Sequence, residues 1–519
     1  MTKVKQQFFK TAGGQFADKG ISLSTNCQRV FVTGYVVGAT ACDFSGNQKI
    51  LTSASDIFVA GLDHNGNQKF FKTAGSINGD DKVSITSNCH CAFLTGQISG
   101  NTATDFNGKI INGNNIFVAG LDNCGNQKFF STAGGNNMDL ALSTKIVHDD
   151  KCIYITGLFA GADFQDFNKT LIPTGHNIFV AGLDNCGHQK FFITAGSPAD
   201  NYPLDLTVND KGVFVTGYIS PGAVDFKGIP ITNYGQYDAF IAGITKCGTQ
   251  KFFKHAGVND PSGEAFGLSI ISDCHDIFVT GLIGQSGINF AGNIVTNSSP
   301  SNIFVAGLDA CGNQKFFVTA GGSTSALQTD RGFSISTNDH GVFVTGRING
   351  PNAFDFKQTP VTLSGDYDIF VAGLSKCGTQ KFFVTAGGSV SDQGLSITSN
   401  EEGIFVTGVI AGPTATDFCG KQINHLQGND DIFVAKFDFC GHQQFFLTAG
   451  SNQVDVGRQI VVHDNEIYVT GWMGGTTGIN FKHCPVTTLK GNGDIFVARL
   501  DDLCGKYRSS RSTMPYVPR

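Results

Sequence analysis

Short apolar runs rich in Phe, Ile and Val, each cut off by glycine, follow one another along the whole chain and read as β-strands. The runs repeat. The phrase (D/N)-(I/A)-F-(V/I)-A occurs eight times, with its Phe at Phe58, Phe117, Phe179, Phe240, Phe304, Phe370, Phe433 and Phe496. A second phrase, (V/I/A)-(F/Y)-(V/I/L)-T-G, ends at Gly34, Gly96, Gly157, Gly217, Gly281, Gly346, Gly408 and Gly471. A third, Q-(K/Q)-F-F, runs from Phe9 to Phe446 with a period of about 62 residues. Each unit holds four strand-like runs joined by glycine turns, which predicts a four-stranded antiparallel meander. In the second and third runs, as at Ile369, Phe370, Val371 and Ala372, both faces are apolar, so each sheet must be covered on both sides.

Eight small sheets, each sandwiched between neighbours, predict a single all-β, eight-bladed β-propeller. The chain opens on Gln6, Gln7, Phe8 and Phe9, a fourth strand with no unit before it, and its last unit lacks a fourth strand. The N-terminal strand is therefore expected to complete the last blade and close the ring. The propeller is expected over 6–505, with blades at 14–75, 76–134, 135–196, 197–257, 258–321, 322–387, 388–450 and 451–505 plus 6–13. A basic, flexible tail is expected over 506–519.

Composition narrows the class. Glycine, at 67 of 519 residues, is about twice its usual frequency, and Phe reaches 46. A net charge of −6 argues against a nucleic-acid coat, leaving the tail as the one segment suited to nucleic acid. No apolar run is long enough for a signal peptide or a membrane span, and the Cys count of 15 is odd. These point to an intracellular, cytoplasmic protein with no membrane insertion, the alternative being a virion or other assembled particle.

The stretch from Gly394 to Gly450, with its GLSIT, GIFVTG, TDF and DDIFVAKFD phrases, resembles the bacterial β-propeller repeat family called SBBP. The resemblance extends over all eight units and is tightest at Asp431 to Lys436. It implies a β-propeller and no common catalytic motif. The chain departs from that family in lacking a secretion signal and in carrying Cys at a turn of the repeat.

Two sets of residues are candidate sites. Asp18, Asp80, Asp139, Asp200, Glu264, Asp330, Asp392 and Asp455 precede the first strand of each unit and read either as an acidic collar for a cation or basic partner, or as turn-fixing acceptors. Ser22, Ser84, Ser143, Asp205, Ser269, Ser334, Ser396 and Gln459 take equivalent places on the inner strands and are expected to line the channel. The recurring Asp-Phe pair after the second strand, replaced by Asn289 and Asn480 in two units, reads as a turn acceptor. Cys124, Cys186, Cys247, Cys311, Cys377, Cys440 and Cys504 share one turn, too far apart between blades to pair, and are expected as free thiols with no metal and no cofactor. Tyr234, Tyr237, Trp472 and Met473 mark irregular loops suited to recognition.

No linear catalytic motif is present. The reading is of a non-enzymatic propeller acting as a protein-interaction or assembly scaffold, with protein partners. A carbohydrate- or small-ligand-binding, lectin-like propeller is the alternative, and a hydrolase or lyase with a site in the central channel is the third.

Overall fold

The computed structural model describes residues 4–503 apart from 53, 77–82, 100–102, 112–113, 136–140, 162, 174, 176, 296–298, 323–328 and 351. The tail over 506–519 and Cys504 lie outside the described residues. Eight four-stranded antiparallel sheets form an eight-bladed β-propeller, with no helix among the described residues. Blade one runs from its inner strand Lys19–Thr25 through Val30–Val37 and Ser55–Leu62 to its outer strand Gln68–Ser76. The remaining blades repeat that order, and the inner strands of successive blades pack side by side around the axis.

The ring closes through the N-terminal strand. Val4–Ala12 pairs with Asp494–Asp502 as the outer strand of blade eight, with Phe9 opposite Ala498 and Ala12 opposite Ile495. Strand pairing between the two ends of the chain removes two open edges.

The three recurring phrases are each explained by one contact. The Phe of the third strand stacks on the second Phe of the outer strand in all eight blades, from Phe58–Phe71 at 5.2 Å between ring centroids to Phe9–Phe496 at 5.3 Å across the seam. The Thr of the second strand donates its hydroxyl to the carbonyl of that same third-strand Phe, as Thr33 does to Phe58 at 2.6 Å and Thr345 to Phe370 at 2.8 Å. The first Phe of the outer strand locks one blade to the next. Its ring lies where a Cβ on the following blade's turn glycine would sit, so that such a Cβ on Gly378 would come within 2.5 Å of Phe316. That glycine has a φ of +85°, so it serves both the left-handed turn and the close approach.

The loops between second and third strands tie neighbouring blades as well. Cys42 of blade one pairs with Gly13 at the end of blade eight, Gln165 with Gly134, and Thr416 with Gly387. Within these loops Asp43 accepts the backbone N–H groups of Ser45 and Asn47 on one oxygen and the Gln68 side-chain amide on the other. Gln68 in turn accepts from the N–H of Phe44. Asn289 keeps the two backbone bonds, from Ala291 and Asn293, so this position works as a turn acceptor.

Candidate functional site

The central channel is built from a bulge. Each inner strand whose full register is described slips by one residue against its neighbour, between Gly20 and Ser22, Pro203 and Asp205, Gly267 and Ser269, Gly332 and Ser334, Gly394 and Ser396, and Gly457 and Gln459. Ile21, Leu204, Leu268, Phe333, Leu395 and Arg458 are the bulged residues, and they line a central cavity of about 220 Å³ together with the residues that follow them.

In blade three the register places Ser143 opposite Gly157 and Lys145 opposite Thr156, so Lys145 holds the ring position and Ser143 matches Gly20. The expectation for Ser143 is corrected by this register, and the spacing agrees with it, since Lys145 stands twelve residues before Gly157 as Ser22 does before Gly34. The ring is thus Ser22, Ser84, Lys145, Asp205, Ser269, Ser334, Ser396 and Gln459, all on the cavity wall. Most of its members stitch blades together. Ser22 accepts from the N–H of Ile85 at 3.3 Å, Ser334 from Ile397 at 3.2 Å, Ser396 from Ile460 at 3.3 Å, and Gln459 from Leu23 at 2.7 Å. Asp205 accepts from the N–H of Ile270 at 2.9 Å and faces the Lys145 ammonium at 3.4 Å. The inner strands do not pair through their backbones, and these side chains supply the missing acceptors.

The acidic positions are buried clamps. Asp18, Asp330, Asp392 and Asp455 are each 0% exposed. Each accepts two backbone N–H groups, one from the incoming loop and one from the end of the second strand. For Asp392 these are Gly388 at 2.8 Å and Ala411 at 2.6 Å; for Asp330 they are Gly322 at 2.8 Å and Asn349 at 2.7 Å. Asp200 and Glu264 stand one residue off that position and are exposed; Asn201 and Ala265 occupy it. Asp80 and Asp139 lie outside the described residues. The described positions therefore form no open acidic collar.

A second buried Asp from the preceding blade meets several of these clamps. A Cβ on Gly387 would lie 2.5 Å from Asp368 Oδ1 and 2.7 Å from Asp392 Oδ2, and one on Gly13 would lie 2.6 Å from Asp494 Oδ1 and 2.8 Å from Asp18 Oδ2. Burial, with the neighbouring carboxyl adding to it, pushes Asp392 up to about 8 and Asp18 to about 7. Asp455 is pushed to about 7 for the same reasons, with Asp431 as its neighbour. Among the described residues, Oδ1 of Asp368, Asp431 and Asp494 is buried without a donor. Burial and the neighbouring carboxyl thus both favour the protonated form of Asp18, Asp392 and Asp455.

The chain breaks its own symmetry at one level, the cross-strand pair just outside the channel ring. In blade one this pair is Lys19 and Tyr35; in blade four, Tyr202 and Tyr218; in blade six, Arg331 and Arg347; and in blade eight, Val456 and Trp472. Contacts run between blades. The Lys19 ammonium sits 4.9 Å from the Trp472 ring and 5.6 Å from that of Tyr35, and Tyr218 meets Phe266 of blade five edge-on at 4.7 Å. Tyr237 adds a third ring, 5.2 Å from Tyr218. Arg347 lies over Tyr367 at 4.2 Å. A cleft of about 780 Å³ opens beside this collar between blades four, five and six, walled by Val258, Glu264, Leu282, Ile288, Pro300 and Thr329 among others. Sequence reading found Tyr237 and Trp472. It missed Lys19, Arg331 and Arg347, whose signal is their place directly before the inner-strand glycine or after the glycine of the second strand.

Two groups of thiols stand out among the described cysteines. Cys124, Cys186, Cys247, Cys311, Cys377 and Cys440 are exposed on the turns between third and outer strands, away from that collar. Cys27 and Cys89, on neighbouring inner hairpins, lie within hydrogen-bonding reach, and a hydrogen bond to Cys27, together with its charge, pushes the Cys89 thiol above its ordinary value. The hairpins are tied by Asn26, which donates to the Asn88 carbonyl at 2.7 Å. No group of three or more metal-ligating side chains occurs among the described residues.

No family model and no curated protein matches the chain. Solved structures do. Rhamnogalacturonan lyase YesW is similar at 10% identity, over 94% of this chain and 90% of that one, with a TM-score of 0.27. The phage phi92 endosialidase is similar at 9% identity, over 99% and 70%, with a TM-score of 0.33. The GH43 BlXynB protein from Bacillus licheniformis is similar at 9%, over 95% and 99%, with a TM-score of 0.24. The expectation that the chain is not an enzyme rests on missing linear motifs, and these matches overturn it. A propeller site can be assembled from side chains of several blades, so missing linear motifs exclude no activity. At such identities and TM-scores the matches carry no residue role to this chain.

Proposed function

We propose that the chain is an interaction scaffold that recognises a protein partner through the aromatic and cationic collar at the channel mouth. The observation that carries this reading is the placement of Lys19, Tyr35, Tyr218, Arg331, Arg347 and Trp472 at one register level, in a repeat that is otherwise nearly uniform. Tyr, Trp and Arg are the residue types that dominate binding energy at protein interfaces. Most of the channel ring beneath is spent on blade-to-blade bonds, which favours the collar as the recognition level.

The test is capture from lysate of the native source with three baits: the wild-type chain, the double variant Tyr218→Ser and Trp472→Ser, and the variant His188→Ala and His442→Ala on the far turns. A stoichiometric protein held by the wild type and the His variant, and lost by the collar variant, is the expected result. Retention by the collar variant, or capture of glycans alone, overturns the reading.

A further inference from the structure

Arg331 and Arg347 stand directly opposite each other on adjacent antiparallel strands of blade six. Like charges in that arrangement repel and destabilise a sheet, so the pair calls for an explanation beyond folding. Neither guanidinium forms an ion pair among the described residues. The buried acid beside them, Asp330, accepts the N–H groups of Gly322 and Asn349 and forms no ion pair with either guanidinium among the described residues. The segment 323–328, Ser-Thr-Ser-Ala-Leu-Gln, contains no acid.

The hydrogen bonds that are made orient the pair. Arg331 Nε donates to Thr329 Oγ1 at 2.8 Å, and Arg347 donates through Nε to the Thr329 carbonyl at 3.0 Å and through one terminal nitrogen to Oγ1 at 3.2 Å. Tyr367 and Phe333 flank Arg347 at 4.2 and 5.7 Å. A guanidinium has five N–H donors. Both terminal nitrogens of Arg331 and one of Arg347 therefore keep donors without an acceptor among the described residues. Thr329, which holds both side chains, is also part of the wall of the 780 Å³ cleft. Burial lowers the pKa of both groups and Arg331 lowers that of Arg347 further, against smaller raising effects of Tyr367 on both, of Glu264 on Arg331 and of Asp330 on Arg347, none of which closes an ion pair.

We propose that Arg331 and Arg347 form a carboxylate-binding site that takes an acidic side chain of the protein partner from the cleft between blades four, five and six. Two guanidiniums anchored on one residue, Thr329, leave terminal N–H donors for a planar anion, and fork-to-carboxylate pairing is the strongest use of such donors. The inference rests on the collar being the recognition face and adds the chemistry of one contact to it.

The test uses the full chain and two probes, a Glu-rich hexapeptide and free glucuronate, titrated calorimetrically at low and physiological salt. The peptide is expected to bind the wild type, more weakly as salt rises. Arg331→Gln and Arg347→Gln are each expected to weaken it about tenfold or more. Arg29→Gln, on a distant hairpin, is expected to leave it unchanged. Relief of the like-charge pair is expected to leave the unliganded Arg331→Gln chain with a melting temperature at or above that of wild type. Failure of the wild type to bind the peptide, equal binding by the Arg331 and Arg347 variants, preference for glucuronate, or a clearly lower melting temperature in Arg331→Gln each overturns the proposal. Failure of the collar reading has a different signature, partner capture that survives loss of Tyr218 and Trp472. A collar that works without this site would lose capture there while the arginine variants bind peptide like wild type.

Discussion

The buried carboxyl pairs make the blade junctions sensitive to pH at the level of single residues. Asp392 is pushed up to about 8, and Asp18, Asp431 and Asp455 to about 7, in each case chiefly by burial. In the unfolded chain such groups titrate near pH 4. Between those values the folded state binds more protons than the unfolded state, so these groups stabilise fully below about pH 4, and that stabilisation is lost as pH rises towards 8. The repeat already contains the neutral version: Asn302 stands where Asp368 does, beside the clamp Asp330. Asp368→Asn is therefore expected to stabilise the chain at pH 8 by about 1 kcal/mol, and to change little at pH 5, in urea titrations. Equal effects at both pH values would contradict carboxyls held protonated by burial. The acid of each unit was legible in the sequence as a repeat-wide residue, and its structural use was one of two open readings. Its partner was hidden inside the (D/N)-I-F-V-A phrase, because nothing in spacing shows that the third strand of one blade meets the inner strand of the next.

At the scale of the element, the repeat phrases were read as strands, and the contacts that fix their letters are between strands and between blades. The turn glycine is the clearest case. Gly378→Ala combines a left-handed φ with a Cβ driven into the Phe316 ring, and is expected to cost about 2–3 kcal/mol. Adding Phe316→Leu to it should recover part of that loss in a double-mutant cycle, whereas strict additivity would contradict the contact. The register corrects the one misplaced ring residue. Counting on from the acid of the unit, Asp139, puts Ser143 on the channel wall, whereas counting twelve residues back from the second-strand glycine, as in every other blade, puts Lys145 there, facing Asp205. A bulge leaves no compositional mark in these strands, since Ile21, Leu204 and Phe333 are ordinary strand residues.

For the whole molecule, eight blades and closure by the N-terminal strand follow from period and termini, whereas the chemistry of the seam does not. Where the other blades have glycine in the third strand, blades seven and eight carry Lys436 and Arg499. Lys436 pairs with Asp502 across blades seven and eight, the two being 3% and 1% exposed. Arg499 binds Glu466 at 2.6 Å and donates to the His64 carbonyl of blade one at 2.5 Å. Lys436→Ala takes the cation from a buried carboxylate and is expected to cost about 3 kcal/mol, more than alanine at an exposed lysine such as Lys190. A cost equal to that of Lys190→Ala would show that the seam is held by strand pairing alone. The recognition collar depends on this closed ring, since Trp472 and Lys19 meet across the same seam. The most direct test of that collar is hydroxyl-radical footprinting of the captured complex, because its Tyr and Trp rings and the exposed far-side cysteines are all reactive reporters. The account predicts protection of Tyr218, Tyr237 and Trp472 with unchanged labelling of Cys124, Cys186 and Cys440. Protection of the cysteines with the three rings still labelled would contradict it.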